Sequence, residues 1–239
     1  MIKDEFHHHN HTDPHRRASL LADVILGGQD GLVNVLGVIL GIAAATGDPH
    51  VVLVAGLAAT IAESVSMSAV AYTSTVAEAD FYESEREREY RHVSDVPNLE
   101  EDEIRGIYSA KGFKGELLER IVETITANED VWVAVMMAEE HKLAPINRRT
   151  ALTSALIVGL AAVAGSLIPL LPFMVLPVST GILASILLSA AVLFGVGAYK
   201  ARLTIGHPGR SGLEMAAIGT VSALAGFLVG VLLRVPAAP

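Results

Sequence analysis

Cysteine is absent from all 239 residues. Disulfides, thiolate metal sites and redox dithiols are thereby excluded, and any metal must be held by oxygen, nitrogen or thioether ligands. Aromatic residues are scarce at 5%, and charged residues reach only 18% against 51% hydrophobic. A soluble domain of this size carries about 25% charge. Bases are outnumbered, 17 Lys and Arg against 26 Asp and Glu, and they form no stripe. Nucleic acid is excluded as a partner, because nothing neutralises its phosphates. The first fifteen residues are polar and His-rich, without a short apolar core and cleavage site, so no cleavable signal peptide is expected.

What is present is strongly segregated. Residues 77–147 hold 18 of the 26 acids, and ten of the 17 bases lie between Ala77 and Arg149. The flanking stretches are nearly uncharged, and the mean hydropathy of the whole chain is +0.48. Two kinds of solvent are implied. A helix needs about 20 apolar residues to cross a bilayer, and five segments meet that length: about Leu20–Thr46, Val51–Thr75, Ala151–Leu171, Ser179–Tyr199 and Leu213–Leu233. Gly47-Asp48-Pro49 and Pro169, Pro172 and Pro177 are read as punctuating the short connections.

Lys and Arg orient this arrangement. Lys3, Arg16 and Arg17 precede span one, ten bases lie between spans two and three, and Lys200, Arg202 and Arg210 follow span four. Only Arg234 falls on the other side, so five spans place sixteen of 17 bases together. The expected fold is an all-α membrane protein with five transmembrane helices and a three-helix cytoplasmic metal-binding insert between spans two and three. Its parts would be a His-rich cytoplasmic tail (1–18), spans one and two (19–76), the insert (77–147) and spans three to five (148–235). Gly37-x-x-x-Gly41 and Gly226-x-x-x-Gly230 place small residues on one helical face, suited either to packing within the chain or to contact between subunits.

Polar residues inside the spans are the candidates for chemistry, the alternative being that Asp30 and Glu63 bind helices together and Met67 fills the core. Asp30 and Asn34 are one turn apart in span one, and Glu63 and Met67 are one turn apart in span two. Carboxylates at that depth are costly unless paired, protonated or facing water. Two carboxylates, an amide oxygen and a thioether suit a transient site for a divalent cation, with the sulfur favouring Fe²⁺ over Mg²⁺ or Ca²⁺. A carboxylate that must lose its proton to bind metal also couples the two ions. Asp23 reads as an interfacial helix residue, and Glu214 as a partner for a helix N-terminus.

Span two is expected to run on unbroken into Ala77–His92, since Pro97 is the next helix breaker. Glu89 and His92 share a face there, Glu100 and Glu103 share one on a second helix, and Met136 and Glu140 share one on a third, about Leu117–Leu143, beside Met137. A solvated acidic surface explains acids alone; an adjacent Met-Met beside Glu-Glu-His is less usual on such a surface.

In order along the chain come Asp30-Gly31-Leu32, Gly56-Leu57-Ala58, Ser66-Met67, Glu78-Ala79-Asp80, Met136-Met137-x-x-Glu140 and Ile168-Pro169-Leu170-Leu171-Pro172. This ordered set, over roughly residues 18–235, resembles the vacuolar iron transporter family in a prokaryotic-type form. The resemblance implies a homodimer with its path between subunits and proton-coupled export of Fe²⁺ from the cytosol. It implies a membrane site at Asp30 and Met67, and a cytoplasmic site at Glu89, Glu100, Glu103, Met136, Met137 and Glu140. Two positions depart from the plant-type pattern. His92 stands where that pattern has Glu, which adds an imidazole ligand whose affinity falls as pH drops. Ala59 stands where it has an acid, and Glu63 is the candidate substitute. No cofactor is obligatory; Fe²⁺, with Mn²⁺, Co²⁺ and Zn²⁺ as further candidates, would be substrate or regulatory ion. The partners expected are metal ions, protons, lipid and a second copy of the chain.

His7, His8, His9 and His11, with Asp13 and His15, form a compositional metal-binding tract or a plain polar end. A ferritin-like ferroxidase is the rival enzyme, because Glu89-x-x-His92 is an E-x-x-H; such a site needs two copies, and one is present. A passive metal channel is the rival transporter. The compact chain suits a prokaryotic plasma membrane.

Overall fold

The computed structural model describes residues 14–233, with side chains from residue 20 onward. The tract from His7 to Asp13 and the side chain of His15 lie outside what is described, as does Arg234. The described chain is helical throughout: α1 Pro14–Thr46, α2 Pro49–Asp95, α3 Pro97–Ala110, α4 Gly115–Thr126, α5 Glu129–Glu139, α6 Thr150–Val175, α7 Val178–Leu203 and α8 Pro208–Leu232. Five of these, α1, α2, α6, α7 and α8, are long and apolar enough to cross a membrane. The protein is an integral membrane protein with five spans, and the three short helices α3–α5 lie between spans two and three.

The chain forms two compact units, one of residues up to Tyr72 together with those from Leu152, the other Thr73–Ala151. In the first, Val35, Leu36, Ile39, Leu40 and Val52 pack with Leu170, Phe173 and Ala223 into a buried core. Leu32, Leu193 and Met215 form a second. The glycine motifs of spans one and five meet within this unit: a Cβ on Gly226 would collide with the Gly37 carbonyl, and one on Gly230 with that of Gly41. The paired motifs therefore serve helix contact inside the chain, where close backbones gain van der Waals energy that lipid cannot supply.

At the α1–α2 connection, Gly47 takes φ +65°, and the Asp48 carboxylate accepts hydrogen bonds from the backbone N–H of His50 (2.8 Å) and Val51 (3.3 Å). That side chain caps the start of α2. Two hydroxyls inside span two are satisfied by their own helix, with Thr60 donating to the Gly56 carbonyl and Ser64 to that of Thr60.

The prolines of span three correct the sequence expectation. Pro169 and Pro172 lie inside α6, and the helix continues to Val175; only Pro177 stands in the connection, as the residue before α7. Proline is tolerated within a membrane helix when neighbouring groups satisfy the backbone around it. The Ser185 hydroxyl of α7 donates to the Pro169 carbonyl at 2.7 Å and ties α7 to this stretch of α6.

In the second unit, α2 runs to Asp95 without a break and Pro97 opens α3. The single third helix expected over Leu117–Leu143 is two. The chain turns at Ala127 and Asn128, and the Asn128 side chain accepts from the Val131 N–H at 3.1 Å, starting α5. Side-chain capping stabilises a new helix start there more than it would an interior Asn. Val93, Ile104, Leu118, Val122, Ile125, Trp132, Val133, Met136 and Met137 make the core of this unit.

Candidate metal centre

The end of α5 sets up the main cluster. Lys142 takes φ +55°, the one positive φ at a non-glycine among the described residues. The N–H of His141 bonds to the Met136 carbonyl at 3.2 Å, and that of Leu143 to the Met137 carbonyl at 2.9 Å. These bonds reach five and six residues back instead of four, so the helix widens and ends there, with Lys142 in the left-handed region. This ending fixes Glu140 and His141 just past the last helical turn. α2 supplies Glu89, almost wholly buried at 1% exposure, and the first turn of α3 supplies Glu100, at 3%.

Two groups of three donors result. Glu89, Glu140 and His141 bring one ligand atom each within 4.8 Å of one another, as do Glu100, Glu103 and Glu140. Glu140 belongs to both. The imidazole Nε2 of His141 is 3.1 Å from Glu89 Oε2, while Glu89 Oε1 and Glu100 Oε2 are buried without any hydrogen-bond partner. An unpartnered buried carboxylate oxygen is costly, and two of them in one cluster suit a bound cation.

Electrostatics favour the same occupant. Burial, and then the neighbouring Glu89, Glu103 and Glu140, push the Glu100 carboxyl up to about 7. Glu140 is also raised, by burial first and then by Glu103, with His141 pulling the other way. Glu100 and Glu140 are thus both shifted toward the neutral form, which a positive charge placed among these carboxyls would reverse. A divalent ion would supply that charge.

The structure thus brings together Glu89, Glu100, Glu103 and Glu140 of the sequence-derived set. His92 stands at the rim: it is half exposed, its Nδ1 lies 3.6 Å from Glu100 Oε1, and it is in neither three-donor group. Met136 and Met137 are fully buried in the apolar core of the insert, and the Met136 carbonyl accepts from the N–H groups of Glu140 and His141. Sequence reasoning missed His141. Its signal was adjacency to Glu140, but the turn at Lys142 that aims it is not readable from spacing.

Inside the membrane unit, Asn34 Nδ2 donates to Glu63 Oε1 at 3.0 Å, joining spans one and two. Asp30 lies close enough to Glu63 and Asn34 to interact electrostatically with both. Asp30 and Glu63 are half-buried, and Asn34 is exposed in the single chain. Met67, one turn beyond Glu63, is half-buried. Asp23 accepts a hydrogen bond from the Ser154 hydroxyl of span three at 2.9 Å, and Glu214 pairs with Arg210 on the first turns of α8 at 2.9 Å.

The family model described as "VIT family" matches residues 21–231. Vacuolar iron transporter 2 of Oryza sativa subsp. japonica is 34% identical over 219 residues, covering 91% of this chain and 89% of the relative. Vacuolar iron transporter 1 of Arabidopsis thaliana is 32% identical over 220 residues, covering 91% and 88%. The vacuolar iron transporter of Plasmodium falciparum (isolate 3D7) is 28% identical over 224 residues, covering 90% and 82%. The match takes in all five spans and the insert with its donor groups, and the chain belongs to the VIT family.

Proposed function

We propose that the protein exports divalent metal cations from the cytosol, Fe²⁺ foremost and Mn²⁺ next, in exchange for protons. The observation that carries this reading is the group formed by Asp30, Asn34 and Glu63 across two spans. Its oxygens can bind a hard divalent ion, and the Met67 sulfur one turn away favours Fe²⁺. Metal and proton compete for the same carboxylates, so passage of one obliges movement of the other.

The insert gathers cargo through Glu89, His92, Glu100, Glu103, Met136, Met137 and Glu140. The distribution of Lys and Arg sets the insert and N-terminus on the cytoplasmic side, and the host is a prokaryotic plasma membrane. Asn34 is exposed at mid-span in the single chain; a second copy against spans one and two would cover it, which supports a homodimer with its path between subunits. The protein is a transporter and not an enzyme, as its family and its relatives' names indicate.

The test is metal-dependent pH change in sealed proteoliposomes. The parent should move Fe²⁺ with a reciprocal proton flux, Asp30→Ala should show almost none, and Met67→Ala should be slowed. Parent-level flux in both variants would remove the membrane site. Metal flux without a pH change would mark a passive channel.

A further inference from the structure

From the two donor groups that share Glu140, we infer that the insert carries two unlike metal subsites. One, made by Glu89, Glu140 and His141, holds Zn²⁺, Co²⁺ or Fe²⁺ in preference to Mn²⁺ through the His141 imidazole. The other, made by Glu100, Glu103 and Glu140, is all carboxylate and accepts Mn²⁺ as well. This rests on the metal-handling reading of the insert and adds a ligand and a selectivity to it.

Geometry supports His141 as a ligand. Donors bound about 2.1 Å from one ion, at tetrahedral or octahedral angles, sit about 3.0–3.4 Å apart. His141 Nε2 and Glu89 Oε2 already stand 3.1 Å apart, and the turn at Lys142 holds the imidazole there. A plain hydrogen bond to a buried acid is the simpler account of the pair. It leaves the other Glu89 oxygen, Oε1, buried with no donor beyond a proton shared with the Glu100 carboxyl. An ion bound among Glu89, Glu140 and His141 accounts for both oxygens.

Chemistry supports the inequality. Imidazole ligation suits Zn²⁺, Co²⁺ and Fe²⁺, and affinity rises from Mn²⁺ through Fe²⁺ and Co²⁺, whereas carboxylates alone suit Mn²⁺. One nitrogen donor in one subsite and none in the other separates the two along that order.

The experiment titrates the full-length protein in detergent with Zn²⁺ and, separately, with Mn²⁺, by calorimetry. The background carries Gln in place of His7, His8, His9, His11 and His15, so that the tail does not compete. In His141→Ala and His141→Gln, Zn²⁺ affinity at one subsite should fall roughly ten-fold or more, the scale seen when even an outer-shell partner is lost. Mn²⁺ affinity should change less than about three-fold. With one equivalent of Zn²⁺, X-ray absorption should show imidazole scattering in the parent and in His92→Gln, and lose it in His141→Gln. Gln keeps a hydrogen bond to Glu89, so Zn²⁺ binding at parent affinity in His141→Gln would reduce His141 to a hydrogen-bond partner and overturn the subsite. Equal losses for both metals would overturn its selectivity. A parent that binds neither metal sinks the metal-handling insert as well, whereas a parent that binds both and is indifferent to His141 sinks this inference alone.

Discussion

Asn34 of span one donates to the Glu63 carboxylate of span two at 3.0 Å, across 29 residues of sequence. The bond fixes which way Glu63 points relative to Asp30. A hydrogen bond to a charged group contributes about 1.5–3 kcal/mol.

Asn34→Ala should therefore raise the Fe²⁺ concentration for half-maximal uptake in proteoliposomes about ten-fold, since about 1.4 kcal/mol is one decade. Glu63→Gln should lose coupled proton movement more completely, because it removes a carboxylate and not only its anchor. Unchanged uptake in both would show that the pair merely ties two helices together.

The acidic cluster predicts an unusual pH dependence for the insert. Glu100 is raised from 4.5 to about 7 in the folded protein, so between those values the folded state binds more protons than the unfolded one. The contribution of Glu100 to the stability of the metal-free insert is then full below pH 4.5 and is lost as pH rises through about 7. Trp132 is the only tryptophan and sits in the insert core, so its fluorescence reports this unit. With chelator present, its thermal midpoint should be lower at alkaline than at mildly acidic pH. Saturating Zn²⁺ should reverse the order, since the metal binds the deprotonated ligands. A midpoint that rises with pH in chelator contradicts the crowded-carboxyl picture.

Asn128→Ala removes the cap that starts α5. The expected cost is about 1 kcal/mol, seen as an earlier Trp132 transition in urea with its steepness unchanged. A loss under a few tenths would mean that packing of Trp132 and Val133 alone sets the helix start.

Gly226→Ala should destabilise the membrane unit by about 1–3 kcal/mol, the range for overpacking, because its Cβ meets the Gly37 backbone. Gly195→Ala is the matched control: nothing lies within 4 Å of its added Cβ. Thermal denaturation in detergent should separate the two variants, and equal midpoints would argue against tight contact of spans one and five.

Much of the architecture was legible because a bilayer demands long apolar helices, and five runs of sufficient length stand in the sequence. The unbroken passage from span two into the insert was legible for the same kind of reason, as no breaker precedes Pro97. The prolines misled: Pro169 and Pro172 look like connection residues, yet α6 absorbs both. The break at Asn128 was hidden because Asn is unremarkable in a helix until its side chain is seen capping the next one. At the metal centre, i, i+3 and i, i+4 spacing pointed to Glu89, Glu100, Glu103 and Glu140, because each pair is local to one helix. His141 meets Glu89 across 52 residues, through a backbone turn that spacing does not encode. Met136 and Met137 show the converse, since helix pattern alone cannot tell a buried sulfur in a core from one turned to a ligand.

Glu140 stands in both donor groups. Under the two-subsite inference, a first ion would take a share of that carboxylate and set its own positive charge beside the remaining place. A second ion would then be held more loosely and would leave first, so that one place empties while the other stays filled.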